Sequence, residues 1–360
     1  ILNLKIVCTQ KQRIGCMRRG RSGLGQPHSW PARWSRPAST LSRMLSPLIA
    51  AWMHRKRRHI ASAPRVVQEI PVVCIGNLVV GGSGKSPLVQ SVCVHLKEAG
   101  FRPGIVSRGY GGRVRNLPIE VSENTSPQAV GDEPVMLFKR TRVPVVVCQD
   151  RARAVERLHH HHGVDVILSD DGLQNTRLWR DLSVCVFNHA QGIGNGLQLP
   201  FGPLREPLTV LDQMDAIVVR GTADAQKSLQ KMEVATKTPV FASESHMAYA
   251  YRSDAPEEHH ALETLAQYGE FHAFAGIASP RRFFEGLEQA GLSIIEYAFP
   301  DHHEYREHDV IDDGLMITTE KDAVKLVHLA KSPFWVVALD STQPAFEAWL
   351  TARLQQWSRV

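Results

Sequence analysis

The hydrophobic pattern of the chain changes at about residue 71. From there on, short apolar runs rich in β-branched residues alternate with helical or polar segments. The apolar runs predict β-strands at residues 71–75, 104–107, 144–148, 164–168, 182–187, 216–219, 240–242, 271–275, 293–298, 315–318 and 334–338. Such alternation is typical of a mostly parallel sheet with helices on both faces. We therefore predict an α/β fold with a doubly wound, mostly parallel sheet.

An amphipathic helix is predicted before the sheet, at residues 40–62. Its apolar residues recur at spacings of three and four and precede a basic cluster at residues 55–58; they are Leu41, Met44, Leu45, Leu48, Ile49 and Trp52. Such a helix can lie in a membrane interface with its basic end against anionic headgroups. A helix packed on the domain with a solvated basic end explains the same pattern, and a nucleic-acid-binding arm is a third interpretation.

Composition and charge narrow the class of protein. Hydrophobic residues make up 43% and charged residues 22% of the 360 residues, which is ordinary for a soluble globular protein. The six cysteines form no C-x-x-C pair, so we expect a reducing cytosol rather than a disulfide framework or a zinc ribbon. No run of about eighteen apolar residues occurs, which excludes an ordinary membrane-spanning helix. The net charge of +6 originates in residues 1–60, which contain no Asp or Glu.

A glycine-rich loop follows the first predicted strand and leads into a helical stretch. Strand, glycine loop, Lys-Ser and helix in this order suit a phosphate site. The predicted nucleotide-binding residues are Gly81, Gly82, Ser83, Gly84, Lys85 and Ser86. Lys85 can reach the β- and γ-phosphate oxygens, and the Ser86 hydroxyl can ligate Mg²⁺. Val79 stands where the strict pattern has glycine, and a glycine-rich turn that happens to precede Lys-Ser is the alternative.

Two pairs of adjacent carboxylates are candidate metal and base residues. Asp170 and Asp171 follow the predicted strand at residues 164–168, where P-loop proteins place an acid for Mg²⁺; a turn with solvated acids is the alternative. Asp132 and Glu133 follow a glycine and precede a helical stretch, so one carboxylate can face the metal and the other an acceptor hydroxyl. A helix N-cap at Asp132 explains the same residues.

Two further motifs carry titratable side chains. His302 and His303 lie just past the predicted strand at residues 293–298, where loops at the carboxyl edge of a sheet form sites. A histidine in that place can orient or assist a catalytic acid. Residues 319–322 are similar to the base-contact loops of nucleotide-binding proteins, although an N-cap by Thr319 with Asp322 at the third helical position explains them as well.

Several short motifs follow one another in order over residues 40–340. They are Gly-Asn-x-x-x-Gly-Gly-x-Gly-Lys-Ser-Pro at 76–87, Ser-Arg-Gly-Tyr-Gly-Gly at 107–112, Gly-Asp-Glu-Pro at 131–134, Asp-Asp-Gly-Leu-Gln at 170–174, Gly-Pro-Leu-Arg-Glu-Pro at 202–207, Phe-Ala-Gly-Ile-Ala-x-Pro at 274–280, Asp-His-His at 301–303 and Thr-Glu-Lys-Asp-Ala-Val-Lys at 319–325. Together they closely resemble the lipid A biosynthesis tetraacyldisaccharide 4'-kinases. That family also lacks the first strict P-loop glycine, which accounts for Val79, and usually has threonine where this chain has Ser86.

The resemblance implies a P-loop NTPase-like kinase that uses ATP and Mg²⁺. It implies transfer of the γ-phosphoryl group to the 4'-hydroxyl of a tetraacylated glucosamine disaccharide 1-phosphate, a lipid A precursor. It further implies Asp132 as the base on that hydroxyl, paired with His302 rather than His303, and Lys85 as a third catalytic residue. The residues implied around Mg²⁺ are Ser86, Glu133, Asp170 and Asp171, and those implied for nucleotide or substrate are Arg108, Tyr110 and Arg205.

The resemblance also sets the expected organisation and location. We expect a poorly ordered basic extension at residues 1–39, a membrane-docking helix at 40–62, a P-loop kinase core at 63–225 and a smaller C-terminal α/β lobe at 226–360 that completes the site. The expected protein is a monomer, bound peripherally at the cytoplasmic face of the bacterial inner membrane, without a nucleic-acid partner. A P-loop GTPase-like regulator and a nucleic-acid-binding ATPase are the competing functions.

Overall fold

The computed structural model describes residues 34, 36–48, 51, 69–82, 84–113, 117–175, 177–311 and 313–357. These residues fall into two compact units. The large unit contains the described residues up to His246 together with residues 340–357. The small unit contains the described residues from Met247 to Leu339.

The strands and helices alternate along most of the chain. The strands are β1 (Val72–Gly76), β2 (Pro103–Ser107), β3 (Ile119–Glu120), β4 (Val145–Val147), β5 (Val166–Asp170), β6 (Leu182–Asn188), β7 (Ala216–Arg220), β8 (Val240–Arg252), β9 (Ala255–His260), β10 (Glu270–Ala275), β11 (Ser293–Ala298), β12 (Leu315–Thr319) and β13 (Trp335–Thr342). The helices that follow residue 69 are α1 (Lys85–Glu98), α2 (Pro127–Val130), α3 (Asp132–Thr141), α4 (Arg151–His162), α5 (Ala225–Lys231), α6 (Pro280–Gln289), α7 (Glu320–Leu326) and α8 (Pro344–Trp357).

The large unit is built on a parallel sheet with β1 near its centre. The strand order is β8-β7-β6-β1-β5-β2-β4-β3, and only the β3–β4 pair is antiparallel. Strands β1, β2, β5 and β7 are buried over their whole length, as expected for a parallel sheet covered on both faces. Because parallel strands end at the same edge, the loops after β1 and β5 lie side by side.

The small unit has its own sheet and core. Its parallel strands follow the order β11-β10-β12-β13, and the second half of β8 pairs with β9 in an antiparallel hairpin. Phe271 and Phe284 are among its fully buried side chains, and Phe284 lies on α6 next to the equally buried Leu287. The apolar residues of α6 therefore fall on one face, which packs on the sheet.

The predicted α/β class is confirmed, and each predicted strand has a counterpart in the structure. Residues 252–260 are not among the predicted strands, but they include the end of β8 and all of β9, which form a hairpin in which Arg252 pairs with Ala255. Most of β9 is exposed, so its residues lack the apolar alternation that marks a half-buried strand. The compact units divide within β8, between His246 and Met247, and within β13, so residues 340–357 belong with the large unit.

Only part of the predicted N-terminal helix falls on described residues. Residues 40–48 are helical, and Leu41, Met44 and Leu48 are exposed there. Ile49, Trp52 and the basic cluster at 55–58 lie outside the described residues, as does nearly all of the predicted extension at 1–39. No helix in the part of the chain that the structure describes combines the length and the hydrophobicity needed to cross a bilayer.

Helix α8 is fastened to the large unit by a buried aromatic group and a buried amide. Phe346 is fully buried, with its ring centroid 5.6 Å from that of Phe241. Just before the helix, Gln343 donates through Nε2 to Ser91 Oγ at 2.8 Å and accepts from Ser243 Oγ at 3.1 Å. Both contacts bring the end of the chain back to elements that precede residue 246.

We expect Phe346→Ala to lower the free energy of unfolding by about 3–5 kcal/mol, because it removes a fully buried aromatic ring. Urea unfolding followed by circular dichroism measures the change. Trp357→Ala, at the far end of the same helix where 39% of the side chain is exposed, is the matched control and should cost about 0.5 kcal/mol or less. Equal losses in the two variants would contradict the packing of α8 described here.

Candidate active site

The glycine loop connects the buried end of β1 to the start of α1. Gly81 and Gly84 have φ values of 108° and 78°, a backbone region that side chains with a Cβ rarely adopt. Gly84 occupies the N-cap position of α1, so the loop delivers the free backbone N–H groups of the first helical turn. Ser83, one of the predicted phosphate-binding residues, lies outside the described residues.

Val79 has a structural role that explains why this loop departs from the strict pattern. It forms an antiparallel β-bridge with Leu204, and the two side chains are buried. The next residue, Val80, donates its N–H to Pro203 O at 2.9 Å. A β-branched residue suits such an extended, paired position better than glycine.

The Lys85 ammonium group contacts two side-chain oxygen atoms. Its Nζ lies 3.3 Å from Asn77 Oδ1 and 3.6 Å from Asp171 Oδ1. Asn77 is fully buried and donates through Nδ2 to Val79 O at 2.5 Å. The ammonium group is thereby directed toward the end of β5, across the mouth of the loop.

Asp171 is paired with two cations. Arg205 Nη1 donates to its Oδ1 at 2.9 Å and its Oδ2 at 3.0 Å, and also to Gln174 Oε1 at 3.2 Å. Burial raises the pKa of the Asp171 carboxyl, but the charges of Lys85 and Arg205 outweigh that effect and lower the pKa below its usual value. Asp171 therefore carries a negative charge that is already neutralised.

Asp170 lies in the opposite situation. It is the last residue of β5, it is buried, and its Oδ1 has no hydrogen-bond partner. Burial raises the pKa of Asp170 to about 8, and the nearby charges of Glu133 and Asp171 push it in the same direction. The charges of Lys85 and Arg151 oppose this rise without cancelling it.

The Asp132–Glu133 pair begins α3. Gly131, with φ of 93°, occupies the N-cap position, so the alternative interpretation of Asp132 as the N-cap is wrong. Asp132 is buried and accepts the backbone N–H of Glu133 at 3.0 Å. A Cβ at Gly131 would lie 2.4 Å from Tyr110 O, so only glycine lets the loop at residues 107–112 pack against the start of this helix.

The small unit contains the predicted histidines. Lys321 Nζ lies 3.1 Å from His302 Nε2 and donates to Asp301 Oδ1 at 2.9 Å. His302 has φ of 59°, a value that few residues with a side chain adopt. His303 differs, because its Nε2 lies 3.1 Å from Asp309 Oδ2 and its ring stacks on another aromatic ring of the unit.

Residues 319–322 begin α7. Thr319 is its N-cap and accepts the N–H of Asp322, as the alternative interpretation predicted. The Asp322 side chain is fully buried and accepts from Gly276 N at 2.8 Å and from Thr319 Oγ1 at 2.9 Å. Its carboxylate is used inside the unit, which argues against a base-reading role.

The structure brings several predicted site residues of the large unit together. Lys85, Asp171 and Arg205 form one ion-paired cluster, with Asp170 and Glu133 next to it. Arg108 and Tyr110 are exposed, and Ser86 is buried in the first turn of α1. Within the described ranges, no three His, Cys, Asp or Glu side chains are grouped so as to hold a metal ion without other ligands.

The sequence did not identify three residues that contact the predicted site residues, namely Asn77, Gln174 and Arg151. Asn77 and Gln174 stand inside the motifs at 76–87 and 170–174, and Gln174 Nε2 donates to Asn77 O at 3.1 Å. Arg151, which is buried and donates to Asp170 O at 2.8 Å, stands in no motif. The positions of Asn77 and Gln174 within the motifs could have indicated a role in the site. No local feature of the sequence indicates such a role for Arg151.

Known proteins of one family are similar in sequence to almost the whole chain. The family described as Tetraacyldisaccharide-1-P 4'-kinase matches residues 37–355. A relative named Tetraacyldisaccharide 4'-kinase from Thiobacillus denitrificans is 43% identical over 294 residues, which is 81% of this chain and 87% of the relative. A protein of the same name from Pseudomonas fluorescens is 37% identical over 327 residues, which is 89% of this chain and 93% of the relative.

A solved structure gives the same answer for the fold. The crystal structure of LpxK from Aquifex aeolicus in complex with ATP superposes with a TM-score of 0.70 at 26% sequence identity, and the match covers 88% of this chain and 99% of that one. The P-loop NTPase-like α/β fold predicted from the sequence is thus the fold of a solved relative. On this evidence the chain belongs to the tetraacyldisaccharide 4'-kinase family.

Proposed function

We propose that this protein transfers the γ-phosphoryl group of ATP to the 4'-hydroxyl of a tetraacyl glucosamine disaccharide 1-phosphate. The observation that carries the proposal is the position of Lys85, which is held between the glycine loop and the carboxylates at the end of β5. Phosphoryl transfer depends mainly on positioning and on neutralisation of phosphate charge. A cation above a glycine loop suits that task and no covalent nucleophile is needed.

The nucleotide phosphates bind the glycine loop in this proposal. Backbone N–H groups of Gly81, Gly82 and Gly84 surround them, and Lys85 contacts the β- and γ-phosphate oxygens. Ser83, which lies outside the described residues, stays a prediction from the sequence. The left-handed φ values of Gly81 and Gly84 support it, since they turn the backbone as a phosphate loop requires. The ATP complex of the Aquifex aeolicus relative supports ATP as the nucleotide.

Magnesium fits the same site. Mg²⁺ in nucleotide sites is held by one or two carboxylates, a hydroxyl and phosphate oxygens. We assign Ser86, Glu133, Asp170 and Asp171 to its surroundings; the partnerless Oδ1 of Asp170 is the strongest support. The bound ion would neutralise the charge of the phosphate oxygens. Asp171, already paired, serves to position Lys85 and Arg205.

Asp132 is the proposed base. It takes the proton of the 4'-hydroxyl while that oxygen forms the new bond to the γ-phosphorus, and the bond to the bridging oxygen breaks so that ADP leaves with the electron pair. Its support is a buried position in the first turn of α3, next to Glu133.

Arg108, Tyr110 and Arg205 are assigned to anionic groups of the nucleotide or lipid. The pairing of Asp132 with His302 joins residues of different units and stays a prediction from the sequence.

The lipid acceptor also determines the proposed location. A tetraacylated disaccharide stays in the bilayer, so the enzyme must work at a membrane surface, here the cytoplasmic face of the bacterial inner membrane. The exposed side chains of Leu41, Met44 and Leu48 on the N-terminal helix support peripheral docking there. A monomer without a nucleic-acid partner completes the proposal.

We expect the purified protein to move label from γ-labelled ATP to a tetraacyl disaccharide 1-phosphate in detergent micelles with Mg²⁺. Thin-layer separation of the labelled lipid measures the transfer. Binding of ATP without any transfer to the lipid would contradict the proposed function.

Asp132→Asn and Lys85→Ala are the matched controls for that assay. Asp132→Asn removes the proton acceptor and should lower turnover by about 10²–10⁴-fold while ATP binding persists. Lys85→Ala should impair both turnover and ATP binding, because it removes a phosphate contact. Wild-type turnover in Asp132→Asn would remove this residue as the base.

We expect Gly84→Ala to weaken ATP binding by about tenfold or more, whereas Gly100→Ala leaves it unchanged. Both glycines have a left-handed φ, 78° and 89°, so backbone strain is matched. Only at Gly84 would a Cβ collide, 1.6 Å from Arg220 Nη1, while Gly100 has no atom within 4 Å of that position. Equilibrium binding of a fluorescent ATP analogue measures the difference, and equal losses would show that strain alone is responsible.

A further inference from the structure

Arg220, the last residue of β7, forms a hydrogen bond to the glycine loop. Its Nη1 donates to Gly84 O at 2.8 Å, and its Nη2 donates to Ser341 Oγ at 2.8 Å and to the Ser245 hydroxyl. The side chain is almost completely buried. A buried guanidinium is costly unless its hydrogen bonds are made, so these contacts define where the group sits.

The contact with Gly84 O fixes the direction of a peptide group. In a planar trans peptide the carbonyl of one residue and the N–H of the next point in opposite directions. A carbonyl of Gly84 that faces Arg220 therefore turns the N–H of Lys85 away from Arg220. In the proposed site that opposite side is the one where the phosphates lie.

The competing donor for the same carbonyl is weak. In a regular helix the N-cap carbonyl accepts the first helical N–H, but here Leu88 N lies 3.4 Å from Gly84 O, against 2.8 Å for Arg220 Nη1. A Cβ at Gly84 would lie 1.6 Å from Arg220 Nη1. Arg220 is thus the closer donor, and it packs directly on the loop.

Two serines fix the other arm of the guanidinium. Ser245 lies on β8 and Ser341 on β13, the strands through which the chain leaves the large unit and returns to it. Their hydroxyls also lie 3.3 Å from each other. Because the guanidinium is planar, anchoring Nη2 at these hydroxyls sets the direction in which Nη1 points.

We propose that Arg220 is a positioning residue for phosphate binding, which orients the Gly84–Lys85 peptide and places a buried positive charge beneath the loop. The inference rests on the proposed nucleotide site and deepens it. Arg220 belongs to none of the sequence motifs, and its contacts with Gly84, Ser245 and Ser341 are evident only in the folded chain. The ligand that Arg220 helps to bind is a polyphosphate chain, and this role requires neither the nucleobase nor the lipid.

Inorganic tripolyphosphate is the probe that tests this role, because it reports on the loop without the nucleoside or the lipid. Its affinity is measured by displacement of a fluorescent ATP analogue from the full-length protein. Arg220→Gln should weaken tripolyphosphate binding by about tenfold, the loss expected for one hydrogen bond to a charged group. The KM for ATP should rise by a similar factor, with the kcat at saturating ATP changed about twofold or less.

Three further variants separate positioning from charge and from stability. Arg220→Lys keeps the charge but has one terminal nitrogen in place of the two Nη atoms that bond Gly84 O and the serines, so an intermediate loss is expected. Ser341→Ala should give a smaller loss of the same kind and keeps the test open if Arg220→Gln does not fold. Arg140→Gln is the matched control: Arg140 donates to Asp340 Oδ1 at 2.5 Å, on the same strand as Ser341, and this variant should bind tripolyphosphate like the wild type.

Several results would overturn the inference. These are unchanged tripolyphosphate affinity in Arg220→Gln, wild-type affinity in Arg220→Lys, which would show that charge alone acts, or an equal loss in Arg140→Gln. A wild-type protein that binds neither ATP nor tripolyphosphate would instead refute the nucleotide site, and the inference with it. Failure of lipid phosphorylation alone would affect the proposed acceptor and leave this inference standing.

Discussion

Two adjacent carboxylates at the buried end of one strand impose the constraint on which the site depends. Both cannot carry an uncompensated charge in that position. The Asp171 carboxylate is compensated by Lys85 and Arg205, which lower its pKa in spite of its burial. The Asp170 carboxyl is not compensated to the same extent, and burial raises its pKa to about 8. One carboxylate is thus ion-paired within the protein, and the other is the one that we propose for the metal ion.

This division explains how the loops are arranged. The segment at residues 202–207 must return to the glycine loop so that Arg205 can reach Asp171, and the Val79–Leu204 bridge secures it there. The amide of Asn77 and the side chain of Arg220 then fix Lys85 and the peptide before it. The phosphate loop is therefore held from the β5 side by an ion pair and from the β7 side by a buried guanidinium.

Much of this could be predicted from the sequence, because the strongest signals are local. Buried parallel strands give uninterrupted apolar runs, and the order of glycines, Lys85 and Ser86 between a strand and a helix predicts a phosphate loop. The contribution of Arg220 could not be predicted, since it depends on β7, β8 and β13 lying next to the loop. The β8–β9 hairpin was missed because exposed strands have no apolar pattern, and the return of α8 to the large unit depends on contacts such as that of Phe346 with Phe241.

We propose that Asp170, whose Oδ1 has no hydrogen-bond partner and whose pKa is raised by burial, accepts the metal ion that binds with the nucleotide. At pH 7 a carboxyl group with a pKa of about 8 holds its proton in most molecules, and a metal ligand must give that proton up. Calorimetric titration of preformed Mg–ATP in buffers of different ionisation enthalpy measures the protons released. We predict that the wild type releases about one proton more than Asp170→Asn at pH 7, and that this difference disappears near pH 10, where the carboxyl is already ionised. Equal proton release by the two proteins at pH 7 would contradict it.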